Sequence, residues 1–316
     1  MIIKKIKHAL LNYKEKIDSR KAVKKEFPEG FQLPYKITNI GEDITVVGIF
    51  KNESSYLAEW INFHRMVGFT RFILYDNGSD DRSADIAKEN SIGGDVTVIG
   101  WKHFIARYDT QILAYSHAAA NFGDQCKWMC CIDIDEFLFP IEHRPIGEIL
   151  ERYNEIPSIA IPWHMYGTSG HKTPPDGGVI TNFRRRVVFP PSGGDIKRVY
   201  KYKSIFQPRY LVSCHVHLPF MSIYPEYFFN ENGERTPRSL RYDTRFACSD
   251  IFRLNHYLTK DMATMENKLK KGRATLLTTN ADYRKLAKRA VIVADGDIVD
   301  PIALEKFEFY STDELK

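Results

Sequence analysis

The chain has 316 residues and a formal net charge of +5, and 43% of its residues are hydrophobic. Such a length suffices for one large domain or two small ones. Residues 1–25 contain nine lysines or arginines and only two acidic residues, so the remainder is close to neutral and is not a nucleic-acid binder by charge. No run of about 18 apolar residues occurs, so we expect no membrane-spanning segment. The N-terminus lacks a continuous apolar h-region, so we expect no secretory signal.

The N-terminal arm has isoleucines and leucines near helical spacing with lysines between them, over residues 2–17. This pattern predicts a short basic amphipathic helix. Two interpretations stay open: a docked or solvated arm, and attachment to an anionic membrane surface. The five cysteines lack paired spacing, which is typical of a reducing compartment. We therefore expect a cytoplasmic protein, with peripheral attachment to the inner face of the cell membrane as the membrane alternative.

Apolar strands and amphipathic helices alternate from about residue 40. The predicted strands are Ile44–Phe50, Arg71–Tyr75, Val96–Ile99 and Trp128–Ile134. One predicted helix carries Leu57, Trp60, Ile61 and His64 on one face, a second runs from about Ser83 to Asn90, and a third is capped by Asp109 and ends at Gly123. This order predicts an α/β fold with an open, mostly parallel sheet, helices on both faces and ligands at the carboxyl ends of the strands.

The second half of the chain has a different pattern, with many prolines and shorter apolar segments. The predicted strands here are Ser158–Ile161, Phe183–Phe189, Val199–Phe206 and Tyr210–His217. We expect a mixed or antiparallel arrangement for this half. The loop Gly167–Gly178 is too long for a simple connection and is a candidate binding loop.

An acidic motif, Asp133-x-Asp135-Glu136, follows the strand predicted at Trp128–Ile134. Three carboxylates so close together repel one another, and a divalent cation would compensate their charge. If the strand continues through the motif, Asp133 and Asp135 point to the same side and can share one metal ion. The alternative is a polar strand end whose acids are solvated.

Three other polar motifs could contribute to a ligand site. Lys51–Glu53 follows the first strand and could contact a base or ribose, or serve as an ordinary helix N-terminus. The residues of Asp76–Asp81 are typical of an ordinary turn. Together with Asp133 and Asp135 on a neighbouring strand, they would also suit a nucleotide site. At strand spacing His215 and His217 would face one side, and one of them could complete a metal shell; a structural role is the alternative.

In their order and spacing, these segments resemble the family-2-like and family-92 glycosyltransferases, which have a GT-A fold. The segments are Lys51–Glu53, Glu59–Trp60, Tyr75–Asp81, Ile132–Phe137, Trp163–His171, Lys201–Ile205, His215–His217, Asn255–Tyr257, Lys268 and Gly272. The resemblance covers roughly residues 42–275. It implies a GT-A-like, Rossmann-like fold and a transferase that uses a nucleotide-sugar donor, here expected to be a UDP-sugar, with Mn²⁺ or Mg²⁺. The implied acceptor is a glycan or a lipid-linked saccharide.

The resemblance also implies roles for single residues. Asp76 would bind the base, with Asn52 and Glu53 beside it. Asp133 and Asp135 match the Asp-x-Asp motif that holds the ribose and the metal ion. The later metal ligand would be His217.

The resemblance suggests three segments of the chain. Residues 1–40 would be the basic arm, residues 41–275 the transferase domain and residues 276–316 a C-terminal extension. Within the domain, residues 41–140 would bind the nucleotide-sugar and residues 141–275 the acceptor.

An inverting transferase, which is expected here, needs a carboxylate that deprotonates the acceptor hydroxyl. The sequence does not single out this base. Asp176, in the long loop, is the favoured candidate, and Glu136 and Asp195 are the others.

Two other classes of protein remain as alternatives. A phosphatase of the haloacid dehalogenase type would use the first aspartate of the pair Asp133 and Asp135 as a nucleophile. Two features argue against a phosphatase: the pair comes late, after three strands, and it is followed by Glu136-Phe137 and not by a small Thr or Gly. A non-catalytic glycan-binding protein would have no need of both aspartates.

Overall fold

The computed structural model describes residues 41–102, 109–191, 200–271, 293, 296 and 298–313. The predicted N-terminal arm, and with it residues 1–25, lies outside these described residues. So does Asp195, one of the three candidates for the catalytic base.

The first half of the fold is a parallel α/β layer. Its strands are β1 (Asp43–Phe50), β2 (Arg71–Asp76), β3 (Val96–Gly100) and β4 (Cys126–Cys131). Its helices are α1 (Leu57–Met66), α2 (Ser83–Glu89) and α3 (Thr110–Phe122). The strands lie in the order β3-β2-β1-β4, and all three pairings are parallel. The polar loops after β1, β2 and β4 therefore lie at one edge of the sheet.

Both faces of this sheet are covered, which explains why its strands are apolar throughout. Val46 of β1 packs in the core cluster that contains Trp60 of α1. Its neighbour Val47 packs in a second cluster, together with Tyr115 of α3. Successive side chains of a strand point to opposite faces, so helices on both faces require the continuous apolar runs that the sequence shows.

Within the described residues, the second half adds six strands to the same sheet and forms two separate two-stranded sheets. The further strands are β5 (Glu136–Pro140), β6 (Ser158–Met165), β7 (Arg185–Arg186), β8 (Tyr202–Phe206), β9 (Leu211–Ser213), β10 (Phe220–Met221), β11 (Tyr227–Phe229), β12 (Arg235–Pro237), β13 (Phe252–His256) and β14 (Ile298–Val299). The further helices are α4 (Ile146–Leu150), α5 (Val179–Asn182), α6 (Met262–Lys271) and α7 (Ile302–Asp313). Within the described residues, ten strands form one sheet, and β8 lies antiparallel between β4 and β6. The start of β8 therefore adjoins the end of β4.

The C-terminal segment packs against the domain. β14 pairs with β7, and the adjacent Asp300 forms ion pairs with Arg186 and Arg253 of β13. Burial tends to raise the pKa of Asp300, but the two guanidinium groups outweigh it and hold this pKa below its usual value. The carboxylate of Asp300 thus ties the C-terminal segment to two strands of the second half.

Several predicted elements are longer than the observed ones. β4 ends at Cys131 and not at Ile134, because the backbone turns from Asp133 to Glu136. The strand predicted at Tyr210–His217 is only β9, and the one predicted at Phe183–Phe189 is only β7. The predicted fold class is nevertheless confirmed: a mostly parallel central sheet with helices on both faces and a mixed second half. In the described parts of the chain, no helix is long and apolar enough to cross a membrane.

Candidate active site

The acidic motif forms a tight turn between β4 and β5 at the carboxyl edge of the sheet. The Glu136 N–H donates to the Asp133 carbonyl at 3.0 Å, and the Asp133 N–H donates to Glu136 Oε2 at 2.8 Å. The expectation that Asp133 and Asp135 share one strand face is wrong, because β4 has ended before either residue. A turn, and not strand alternation, sets where the two carboxylates point.

The Asp133 carboxylate is directed towards α3. Gln111 Nε2 lies 2.6 Å from Asp133 Oδ1, and the Tyr115 hydroxyl lies 3.4 Å from the same oxygen. The side chain of Asp133 remains 36% exposed. It is therefore held by fixed donors and can still be reached by a ligand.

A buried lysine lies against this turn. Lys203 of β8 is 1% exposed, and its Nζ lies 3.4 Å from Asp133 Oδ1 and 3.5 Å from Glu136 Oε2. Burial tends to lower the pKa of Lys203, but the two carboxylates outweigh it and raise this pKa. The lysine is thus a fixed positive charge that offsets the repulsion among the acids.

Glu136 is fully buried, and its carbonyl accepts the indole N–H of Trp60 in α1 at 2.8 Å. Burial raises the pKa of Glu136 well above its usual value, although Lys203 opposes the rise. These contacts place Glu136 inside the turn, where it supports the backbone of Asp133.

The second aspartate is held from another strand. His256, at the end of β13, places Nε2 3.4 Å from Asp135 Oδ1 and Nδ1 3.8 Å from Glu136 Oε1. The Tyr257 N–H donates to the Asp135 carbonyl at 2.7 Å. The Trp163 ring packs edge-on against His256, with 4.3 Å between ring centroids. β13 and β6 therefore fix Asp135 and its carboxylate.

The predicted base-binding residues lie in two loops at the same edge of the sheet. Asn52 has a φ of 57°, and its side chain accepts the N–H of Asp80 at 2.9 Å. Asp76 accepts the N–H of Ser79 at 2.8 Å, and Ser79 Oγ accepts the N–H of Asn52 at 3.1 Å. The structure thus brings Asn52 and Asp76 together through a shared network of turn hydrogen bonds.

Glu53 has a partner that the sequence analysis did not identify. Lys260 Nζ lies 3.2 Å from Glu53 Oε2 and 3.5 Å from the centroid of the Tyr56 ring. Lys260 is 4% exposed and comes shortly after β13. No local pattern relates Lys260 to Glu53, since 207 positions separate the two.

The long loop containing Asp176 is attached on the α1 side of the site. Glu59 accepts the N–H groups of Val179 and Ile180, at 2.5 Å and 3.1 Å. Asp176 itself is exposed, and its carbonyl accepts a hydrogen bond from Asn182 at 2.9 Å. The described contacts of Asp176 do not reach the Asp133–Glu136 turn.

His215 and His217 lie in an irregular segment after β9, so the expected strand spacing is wrong. The His217 N–H donates to His215 Nδ1 at 3.1 Å, and His217 Nδ1 contacts the Tyr202 carbonyl at 3.0 Å. The His217 ring packs against Trp163, with centroids 5.3 Å apart. Because Trp163 also contacts His256, the histidine pair lies near the acidic turn.

The turn offers oxygen ligands, which Mn²⁺ and Mg²⁺ prefer. Among the described residues, no three His, Cys, Asp or Glu side chains form a ready-made metal shell. Mg²⁺ is commonly held by one or two carboxylates, substrate phosphates and water, so a cation at Asp133 and Asp135 would not require a third protein ligand. The role of His217 as a ligand stays a prediction.

Sequence matches define the class of protein as the glycosyltransferase families. Within this class, the chain belongs to glycosyltransferase family 92, whose family model matches residues 44–286. It is 28% identical to a family 92 protein of Oryza sativa subsp. japonica over 52% of the chain, and 31% identical to one of Ricinus communis over 51%. These alignments cover 26% and 28% of the relatives, so the match spans about a quarter of their length.

Some solved structures are also similar to this chain. One is residues 1–349 of S. aureus TarS in complex with UDP-GlcNAc, at 12% identity and a TM-score of 0.39, covering 85% of this chain and 71% of the solved one. Another is glucosyl-3-phosphoglycerate synthase of Mycobacterium tuberculosis with Mn²⁺ and UDP, at 17% identity and a TM-score of 0.27, covering 39% and 44%. Both TM-scores are low, and the family assignment rests on the sequence match.

Proposed function

We propose that this chain transfers a sugar from a UDP-sugar to a glycan or lipid-linked saccharide acceptor, with Mn²⁺ or Mg²⁺ bound at Asp133 and Asp135. The observation that carries the proposal is the acidic turn at the carboxyl edge of the parallel sheet, supported by Lys203, Gln111 and His256. Ligands of open α/β sheets bind at this edge.

The neighbouring loops supply the donor side of the proposed site. Asn52 and Asp76 share one hydrogen-bonded network, which holds their polar groups at the same edge of the sheet as the acidic turn. Asp76 would contact the base, while Asn52 and Glu53 would lie beside it. The pairing of Glu53 with Lys260 fixes the direction of the Glu53 carboxylate.

The acidic turn supplies the centre of the proposed site. When bound, the cation would neutralise the charge that develops on the leaving nucleoside diphosphate. Gln111 and Tyr115 orient the Asp133 carboxylate, and His256 orients that of Asp135. Held carboxylates need little reorganisation when a charged ligand arrives, which is the physical advantage of this arrangement.

The acceptor would lose its proton to a carboxylate in an inverting reaction. Of the described candidates, Glu136 is enclosed by the turn that it supports, whereas Asp176 lies exposed on the long loop. Asp176 stays the proposed base because an acceptor can reach it, although its described contacts do not extend to the acidic turn. Both alternatives, a phosphatase and a glycan-binding protein, lack the support that family 92 membership gives to the transferase.

The proposal is tested by Asp135→Asn, which keeps the size of the side chain and removes its charge. We expect UDP release from UDP-sugars to fall on the order of a hundredfold or more. Calorimetry should show that Mn²⁺ no longer strengthens UDP binding. Asp124→Asn is the matched control, because Asp124 is exposed at the opposite end of β4. Equal activity of the two variants would contradict the proposal.

A further inference from the structure

The long loop Gly167–Gly178 begins beside the acidic turn. The Tyr166 N–H, just before the loop, donates to the His256 carbonyl at 2.9 Å. His256 Nε2 in turn lies 3.4 Å from Asp135 Oδ1. The loop therefore leaves the sheet at the place where the proposed transfer would occur.

The middle of the loop is attached to the start of α6. The Met262 N–H donates to the His171 carbonyl at 3.2 Å. The Ala263 N–H donates to the Lys172 carbonyl at 3.1 Å. The first N–H groups of a helix have no partner within the helix, and here the loop satisfies two of them. α6 thus fixes the loop shortly before Asp176.

Glu59 of α1 holds the far end of the loop. Its carboxylate accepts the N–H groups of Val179 and Ile180, at 2.5 Å and 3.1 Å. The backbone of Gly178 passes so close that a Cβ there would lie 2.3 Å from Glu59 Oε1. A glycine therefore allows the loop to approach this carboxylate closely.

Asp176 lies in the short segment 173–177, between these two attachments. Pro174 and Pro175 precede it, and the ring of each proline fixes its φ. Two held ends and two prolines leave the segment little conformational freedom. The attachments on either side therefore determine where Asp176 stands.

Both attachments are also connected to the loop that we assign to the donor. Lys260 precedes α6 by two residues, and its Nζ lies 3.2 Å from Glu53 Oε2. The Glu53 carbonyl accepts the N–H groups of Tyr56 and Leu57, each at 3.0 Å, where α1 begins. The left-handed φ of Lys260, 47°, is a costly conformation that its surroundings maintain. The starts of α1 and α6 thus form one connected unit with the donor loop.

We propose that Glu59 is a positioning residue for sugar transfer, which sets the position of Asp176 relative to the acidic turn by holding the end of the loop. In this role Glu59 touches neither substrate and acts through the backbone of Val179 and Ile180. The inference rests on the proposed function, in which Asp176 takes the proton of the acceptor. The hydrogen bonds described for the Glu59 carboxylate go to the loop, so its loss should slow transfer without weakening donor binding.

The test uses the full chain with Mn²⁺, with UDP-glucose, UDP-galactose and UDP-GlcNAc as donors and water as the acceptor. The water oxygen bonds to the sugar, its proton passes to Asp176, and the bond between sugar and UDP breaks. Glu59→Ala should lower the kcat of UDP release about tenfold or more, because the base is misplaced. The KM for the donor and the affinity for UDP in calorimetry should stay within about twofold. Glu59→Gln keeps one acceptor oxygen and should restore part of the lost kcat.

Gly178→Ala breaks the same contact from the loop side. Gly178 has a φ of −84° and a ψ of 173°, which alanine adopts without strain, so the new methyl group meets Glu59 alone. The kcat of this variant should also fall. Combining it with Glu59→Ala should cause no loss beyond that of Glu59→Ala, since both changes remove one contact. Likewise, adding Glu59→Ala to Asp176→Asn should not lower kcat further.

Trypsin reports on the loop without any turnover. Lys172 is exposed, and cleavage after it can be followed by mass spectrometry at a temperature where every variant is folded. Glu59→Ala and Gly178→Ala should both be cleaved there faster than the native chain. Glu89→Ala is the matched control, because Glu89 also lies on a helix but is 58% exposed and paired with Arg82. The control should change neither cleavage nor kcat.

The positioning role is rejected if Glu59→Ala and Gly178→Ala are cleaved and turn over as Glu89→Ala does. It is also rejected if the loss in kcat comes with an equal loss of UDP affinity, or if Glu59→Ala slows Asp176→Asn further. Absence of UDP release from every donor by the native chain would instead reject the transferase proposal, and the role of Glu59 in transfer with it. The rate of cleavage after Lys172 would then still decide whether Glu59 holds the loop.

Discussion

Lys203 is the residue on which the acidic turn depends most. It lies in the short strand Tyr202–Phe206, whose other residues are apolar, aromatic or hydroxyl-bearing. A buried lysine in such a strand is costly unless it is paired, and here it faces Asp133 and Glu136. Glu136 is the more buried of the two carboxylates, so the pairing matters most for Glu136.

We expect Lys203→Met to lower the free energy of unfolding by about 3 kcal/mol, because it leaves the buried Glu136 without its cation. The double variant Lys203→Met with Glu136→Gln should regain much of this loss. Denaturant unfolding measures both values. Lys127→Met is the control: Lys127 pairs with the exposed Glu151 and should change stability by less than about 1 kcal/mol. Equal losses for the two lysine variants would show that the buried pair is not stabilising.

At the scale of elements, His64 connects α1 to β5. Its Nδ1–H donates to the Trp60 carbonyl at 2.8 Å, and its Nε2 accepts the N–H of Leu138 at 3.1 Å. His64 is fully buried, and this burial lowers its pKa to about 3. The neutral imidazole thus satisfies a backbone N–H of the strand that begins in the acidic turn.

His64→Leu should lower the free energy of unfolding at pH 7 by about 2 kcal/mol, because the Leu138 N–H loses its acceptor. The free energy of unfolding of the variant should also decrease less as the pH is lowered. The folded-state pKa of about 3 lies below the ordinary value of 6.5, so the unfolded chain binds the proton first. The contribution of the neutral His64 to stability is therefore fully present above pH 6.5 and is lost as the pH falls towards 3. Unfolding midpoints at pH 7 and pH 4.5 measure this pH dependence of stability. An equal pH dependence for the native chain and the variant would show that His64 does not cause it.

At the scale of the whole molecule, the excess positive charge lies in residues 1–25, which hold nine basic and two acidic residues. We propose that this arm holds the protein against an anionic membrane, where lipid-linked acceptors would be found. Each basic residue near such a surface contributes on the order of 1 kcal/mol, and apolar residues of an amphipathic helix can enter the interface.

Vesicles that contain anionic lipid should sediment the full chain at low salt, but not a version that lacks residues 1–25. Binding should weaken as the salt concentration rises, since salt screens the charge of the arm. Neutral vesicles are the control. If both versions sediment equally, or if neither does so at low salt, the arm does not attach the protein to membranes.

The sequence by itself determined the parallel half of the fold. Strands with both faces covered must be apolar throughout, and helices between them must carry an apolar face, so local patterns were sufficient there. Leu57, Trp60, Ile61 and His64 are buried on α1 as expected, and Asp109 caps α3. Asp133 and Asp135 lie at the carboxyl edge of the sheet, as their position after an apolar strand indicated.

Only the tertiary structure decided what surrounds the acidic turn. Lys203 reaches Asp133 across 70 positions, and Glu59 holds Val179 across 120. These contacts follow from the order of the strands, in which the antiparallel β8 places its first residues beside the end of β4. Strand order reflects which surfaces can be buried together over the whole chain. Local periodicity does not predict strand order. Hydrophobic patterns therefore revealed the helices and strands but not the partners of the site residues.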